Sequence, residues 1–262
     1  MKHSDGITNS ILYSLASVGL LLIVLPVGSL LFEMPWNRIG EVFTDSDIWT
    51  AMRISLIVSV SAVILSLIFG FPIAWVICKH RSAMMRIVRV IVLMPMVLPP
   101  IVGGVALLSA FGINSPIGRM LDSVGIHLPF TIAGAILAAT FVSCPFMILT
   151  LESGMRKLEQ PLEDAAMALG ASQWRVLRMI TIPSLMPAII GGCSLTWARA
   201  LGEFGATIAF AGNRPGHTQT LPLAIYQALQ SDMDRAMIIA VELILISASL
   251  MIFVRTRQPN DS

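Results

Sequence analysis

Charge is scarce in this sequence. Asp, Glu, Lys and Arg make up 12% of its 262 residues, half the ~25% usual for a soluble domain. Hydrophobic residues make up 56%, and the mean hydropathy is +0.83. A soluble globular class is thereby excluded in favour of an integral membrane protein. The net charge of +2, with no basic patch interleaved with aromatics, excludes nucleic acid as a partner. Cysteine is also rare: Cys78, Cys144 and Cys193 lie in or at the ends of apolar runs and share no metal-ligand spacing. They read as small packing residues, and no metal site is expected. No G-x-x-x-x-G-K-[ST] occurs, so the chain does not bind ATP through a P-loop. Neither H-E-x-x-H nor G-x-S-x-G is present, and no catalytic residue is expected. A cleavable leader is not expected, because the first apolar run is long and lacks a small-residue cleavage site.

What is present is a series of long apolar runs. Six approach or exceed the ~20 residues needed to cross a bilayer: about Ile11–Phe32, Ala51–Cys78, Ile87–Phe111, Phe130–Leu151, Ser184–Ala211 and Ala236–Val254. The expectation is one all-α membrane domain over residues 1–262, oriented by the bias of its basic residues. With the N-terminus inside, the inner segments hold Lys2, Lys79, Arg81, Arg86, Arg89, Arg156, Lys157, Arg175, Arg178, Arg255 and Arg257. The outer segments hold only Arg38, Arg119, Arg214 and Arg235, while Arg53 and Arg199 fall within spans. Both termini are therefore expected in the cytoplasm, in a multi-pass protein of the cell membrane. The first outer loop, Glu33–Trp49, predicts a short interfacial helix near Trp36–Phe43, with Trp36 and Trp49 at headgroup level.

The longest polar-patterned stretch is Leu158–Pro187. Leu162, Ala165, Ala166 and Leu169 fall at i, i+3, i+4 and i+7, one face of a helix. Pro161 suits its first turn, and Glu163 and Asp164 lie near the positive end of its dipole. Gly170 can end the helix in the left-handed conformation. Ser172 is then an N-cap for a second short helix, Gln173–Met179, ahead of Pro183 and Pro187. Two short helices joined by a Gly-Ala-Ser turn are predicted.

This stretch resembles the cytoplasmic coupling loop of ABC importer permeases, whose pattern is E-A-A, three residues, Gly, nine residues, I-x-L-P. Asp164, Ala165, Ala166, Gly170, Ile180, Ile182 and Pro183 stand at those positions, with Asp164 in place of Glu and Ile182 in place of Leu. The resemblance implies that residues 158–183, with Glu163, Asp164, Ala165, Ala166, Gly170 and Ser172, dock on a separate ATPase subunit. An amphipathic hairpin lying on the membrane surface is the alternative.

Two spans carry anomalies. The third contains Pro95, Pro99, Pro100, Gly103 and Gly104, which no undisturbed helix accommodates. Broken helices line pathways in transporters, so Pro99, Pro100 and Gly103 are pathway candidates; a packing kink is the alternative. The fifth places Arg199 and Glu203 at i, i+4 in an otherwise apolar segment, with Gly202 and Gly205 allowing close helix approach. Arg199, Gly202 and Glu203 either line the path or its gate, or form a structural ion pair.

After the fifth span, Asn213, Arg214, His217, Thr218, Gln219 and Thr220 could hold a docked partner or a passing oxyanion, or form a solvated Pro-Gly turn. The series A-R-A-L-G-E-F-G-A-T with G-N-x-P-G-x-T-Q-T-L-P-L-A-I-Y resembles molybdate/tungstate ABC permeases, with sulfate/thiosulfate permeases close to them. The resemblance covers about Ser55 to Ile239. It implies a type I importer bundle of six transmembrane helices with a cytoplasmic coupling-helix pair. It also implies a second copy of the chain, an ATPase dimer carrying ATP and Mg, and an extracytoplasmic oxyanion-binding protein. Sulfate/thiosulfate as cargo, and an autonomous channel, are the alternative readings.

Overall fold

The computed structural model describes residues 2–40, 44–80, 82–158 and 160–257, and among these every regular element is helical. Helix α1, Lys2–Glu33, contains an apolar stretch, Asn9–Glu33, whose most apolar window is not buried by this chain at all. A single 3-10 turn, Trp36–Arg38, follows; residues 41–43 of the expected interfacial helix lie outside the described residues.

Helix α2, Ser46–Lys79, starts at Asp45, whose carboxylate accepts from the N–H groups of Asp47 and Ile48. Its buried residues recur every three or four positions: Ile48, Ala51, Ile54, Val58, Ala62, Ser66, Gly70, Ala74 and Ile77. From Ile54 onward that stripe lies against helix α6, Ile132–Lys157, in the largest helix pairing of the structure, while Ile48 and Ala51 pack towards the last helices of the chain. Small residues set the spacing, as expected where lipid offers no hydrophobic drive for helix association. A Cβ on Gly70 would meet Ile148 Cγ1 at 3.1 Å and Met147 Cγ at 3.4 Å.

The third apolar run makes two helices, α3, Ala83–Val97, and α4, Pro100–Phe111, turned by 116° about Leu98 and Pro99. A break in this run was expected, with a packing kink as the alternative, and the double proline explains how large it is. A residue before proline is pushed out of the α region, and Leu98 and Pro99 each precede one. Both are extended, with ψ of 138° and 131°. A short helix α5, Pro116–Ser123, leads back to Phe130, whose N–H donates to Phe210 O at 3.1 Å beside the start of α6.

Helix α7, Gln160–Ala168, and helix α8, Gln173–Val176, follow α6. The fifth run does not begin at Ser184 as expected. Helix α8 passes through a π-helical stretch, Leu177–Thr181, into α9, Ile182–Leu201, without a break. Pro183 lacks an N–H and would clash with an α-helical carbonyl. The chain widens one turn ahead of it, so that Ile182 N–H bonds Leu177 O, and continues. Helices α10, Gly205–Phe210, α11, Leu221–Ala228, and α12, Met233–Arg257, complete the chain. Four helical segments are long and apolar enough to cross a membrane among the described residues, or five if the bent pair counts as one.

Polar contacts mark two ends of the bundle. At one, Arg38 binds Asp232 (2.9 Å) and Asp234 (3.2 Å), and Arg235 binds Asp45, joining the first loop to α12. At the other, Arg89 and Arg156 meet Glu152. Hydrogen bonds from Arg38 hold the Asp232 carboxyl down at about 2. A depressed carboxyl gives stability that is complete above its unfolded pKa of 3.8 and is lost as pH falls through about 2. Asp232→Asn should therefore melt below the parent by the same margin from pH 8 to pH 5 in detergent. A margin that shrinks within that range would contradict the clasp.

Candidate coupling and gating sites

The predicted Gly170 turn forms through two hydrogen bonds. Gly170 N–H donates to Met167 O at 2.9 Å and Ala171 N–H to Ala166 O at 3.0 Å, closing the end of α7 as a Schellman motif. Gly170 has φ +85°, and nothing lies within 4 Å of where its Cβ would be. Only backbone conformation selects glycine there. Ser172 caps α8 by accepting from Arg175 N–H at 3.3 Å. The apolar face read from the sequence is not buried by this chain: Asp164 and Ala165 are exposed, Ala166 is half-buried and Leu169 is 89% exposed. Trp174 and Met179 are exposed nearby. Charge and large apolar groups thus share one projecting, exposed surface. The side chains of Leu162 and Glu163 lie outside the described residues.

The fifth run stops at Leu201, so Arg199 and Glu203 do not share a continuous helix as expected. Gly202, Glu203 and Phe204 form a break before α10. Glu203 is 2% exposed. Its Oε1 accepts from Ala206 N–H at 2.8 Å, capping α10, and its Oε2 lies 2.7 Å from Arg199 Nη1. That second contact is an ion pair without hydrogen-bond alignment. One carboxylate thus satisfies a new helix start and neutralises a guanidinium. Thr196, six residues before Gly202, and Thr207, two residues into α10, are buried hydroxyls with no hydrogen-bond partner among the described residues.

The two interrupted runs meet. A Cβ on Gly205 would lie 2.7 Å from Pro100 Cβ and 3.0 Å from Ile101 N. A Cβ on Gly104 would lie 2.5 Å from Ala209 Cβ and 2.8 Å from Ala206 O. Gly103 faces the Phe141 ring instead, at 3.2 Å. Gly202 makes no close approach within this chain, where its Cβ would meet only Ala198 O at 3.6 Å. The start of α4 at Pro100 thus packs on the start of α10, which Glu203 caps and next to which it holds Arg199, with Gly104 and Gly205 as the contact points.

Residues 66–258 match the family of binding-protein-dependent transport system inner membrane components. The molybdenum transport system permease ModB of Mycobacterium tuberculosis is 37% identical over 247 residues, covering 94% of each chain. The ModB of Escherichia coli K12 is 41% identical over 212 residues, 79% of this chain and 92% of that one. The sulfate permease CysT of the same strain is 32% identical over 250 residues, 94% and 90%. The transporter of a crystal structure described as a bacterial ABC transporter that imports the polysaccharide alginate superposes with TM-score 0.74 at 17% identity. It covers 97% of this chain and 96% of its own. The chain belongs to the binding-protein-dependent permease family. It is a multi-pass membrane subunit with the type I ABC importer fold.

In this permease the loop after α10 is folded inward. Thr218, Gln219 and Thr220 are at most 5% exposed, contrary to their reading as free donors. Thr218 Oγ1 accepts from Arg214 N–H at 3.2 Å, and Gln219 Nε2 donates to Asn213 Oδ1 and Gln227 Oε1 at 3.0 and 2.6 Å. Asn213 is half-buried, and only Arg214 and His217 of the series are exposed. Helix α11 was missed; Pro222 in its first turn was the available signal. Also missed was Glu152, 2% exposed, whose Oε1 takes Arg156 Nη2 at 2.7 Å and whose Oε2 takes Arg89 Nε at 3.1 Å. The i, i+4 pair Glu152–Arg156 was legible just past the fourth run.

Two expectations follow. Gly104→Ala and Gly205→Ala should each cost about 1–3 kcal/mol through overpacking, while Gly202→Ala stays within about 0.5 kcal/mol; denaturation in mixed detergent reads the difference, and equal losses at all three would remove the contact. Glu203→Gln, which retains an acceptor for Ala206, should unfold at higher temperature than Glu203→Ala by a margin equivalent to a helix cap, about 1 kcal/mol. Equal melting temperatures would show that the cap contributes nothing.

Proposed function

We propose that this permease is the membrane subunit of an ATP-driven importer of molybdate and/or tungstate, working as a homodimer. Two ATPase subunits, which carry ATP and Mg, and an extracytoplasmic oxyanion-binding protein complete the assembly. Relatives named for molybdenum support the cargo: against proteins of one E. coli strain, identity is 41% to ModB and 32% to CysT. Sulfate is the second reading, favoured by the CysT match along 94% of this chain.

The observation that carries the mechanism is continuity. From Gln173 to Leu201 the chain is one helical rod of 29 residues, about 40 Å long. Its first turn belongs to the projecting Gly170 surface, and its last holds Arg199 beside the break. Both termini and residues 158–183 face the cytoplasm, in keeping with the basic-residue bias. ATP closure of the ATPase dimer draws the two Gly170 turns together. Each rod then tilts, and the Gly202–Phe204 break absorbs the rotation against Pro100. Access alternates between the two sides as the broken ends separate or close. Arg199, Thr196 and Thr207 lie within about two turns of that break, where an oxyanion or its water would find donors. The apolar exposure of α1 fits a subunit covered by lipid and by a second copy.

Reconstitution with the ATPase and binding protein tests this reading. Molybdate or tungstate should stimulate ATP hydrolysis and sulfate should not; stimulation by sulfate alone would overturn the cargo. Gly170→Asp should abolish the stimulation, because aspartate in the left-handed region costs about 1 kcal/mol or more and adds charge to the docking face. Normal stimulated hydrolysis in that variant would sink the docking assignment.

A further inference from the structure

The end of the bundle that carries α7 and α8 also holds a cavity of about 240 Å³ between the ends of α2 and α6 and the start of α3. Its polar lining is His80, Ser82, Arg86, Arg89 and Arg156. Glu152, buried at its inner side, uses Arg89 Nε together with Nε and Nη2 of Arg156. Arg86 lines the same cavity, so among the described residues three guanidiniums share it with one buried carboxylate. This excess of positive charge in a concave site suits an anion with several oxygens. The start of α3, capped by Ser82, adds the positive end of a 15-residue helix.

The surroundings identify the kind of anion. Lys79 Nζ lies 5.8 Å over the Trp75 ring at the end of α2, a pairing typical of headgroup level. Along α3, on both sides of Arg86 in the sequence, Met84, Ile87 and Ile91 form an exposed apolar strip at i, i+3 and i+7. A polar cavity and an exposed apolar strip on the same helix match a phosphate headgroup followed by acyl chains. We infer that this cavity binds the phosphate of an anionic phospholipid, with Arg86, Arg89 and Arg156 as its ligands. The Glu152 clasp positions two of the three arginines and ties α3 to α6, so an occupied site braces the end of the bundle from which the coupling segment projects.

The test is calorimetric titration of the full chain in neutral detergent with dioctanoyl phosphatidylglycerol, dioctanoyl phosphatidylcholine and sodium phosphate. Phosphatidylglycerol should bind saturably at one site, and phosphatidylcholine should bind much more weakly. Arg86→Gln, which leaves the Glu152 clasp intact, should weaken binding about tenfold through loss of charged hydrogen bonds, and Arg86→Lys should recover part of it. Melting temperatures equal to the parent's would show that the variants are folded. Binding of inorganic phosphate with the same Arg86 dependence, without added affinity from the acyl chains, would keep the anion site but overturn its assignment to lipid. Phosphatidylglycerol binding no tighter than phosphatidylcholine, or unchanged by Arg86→Gln, would overturn the inference.

Discussion

The rest of this bundle depends on how two interrupted helices satisfy each other. Inside a membrane a broken helix exposes backbone groups that lipid cannot satisfy. Here the breaks after Val97 and after Leu201 are placed side by side. Gly205 lets Pro100 approach, Gly104 lets Ala206 and Ala209 approach, and Glu203 supplies the acceptor that the new helix start lacks. Each of these contacts would be lost if either helix ran straight. The same arrangement brings Arg199 to a carboxylate that is already committed to the fold, so its charge is neutralised without adding a second acid.

Around that centre the structure divides into a part that is tightly held and a part that projects. Helices α2 and α6 meet through Ala62, Ser66, Gly70 and Ala74, and polar clasps tie their ends. Helices α7 and α8 extend beyond them with exposed Leu169 and Trp174. A projecting surface moves a buried break only through something stiff. The π-helical stretch keeps the helix continuous past Pro183, which such a link requires.

Much of this was legible in the sequence, and the failures have physical causes. Apolar length located the long helices, and the Gly170 turn and Ser172 cap followed from local rules that need no tertiary context. Pro99-Pro100 announced a break, but its angle came from two successive pre-proline residues. Pro183 read as a stop because the pattern of apolar residues does not distinguish an α-helix from a π-helical turn. Gly202 and Gly205 looked equivalent, yet only Gly205 meets a neighbour, since only the three-dimensional packing decides which glycine is crowded. Thr218, Gln219 and Thr220 looked like surface donors by composition; their burial against α11 depends on a helix signalled by one proline.

The central claim is that residues 173–201 move as one rod and bend only at the break. It is tested most directly by electron–electron distance measurement on the assembled transporter, after replacement of Cys78, Cys144 and Cys193. Spin labels on Met179 and Leu195, both exposed on the rod, should stay about 24 Å apart whether or not ATP is bound. Labels on Met179 and on exposed Val102 of α4 should change their separation with nucleotide. A nucleotide-dependent change within the rod, with the second distance fixed, would contradict the account.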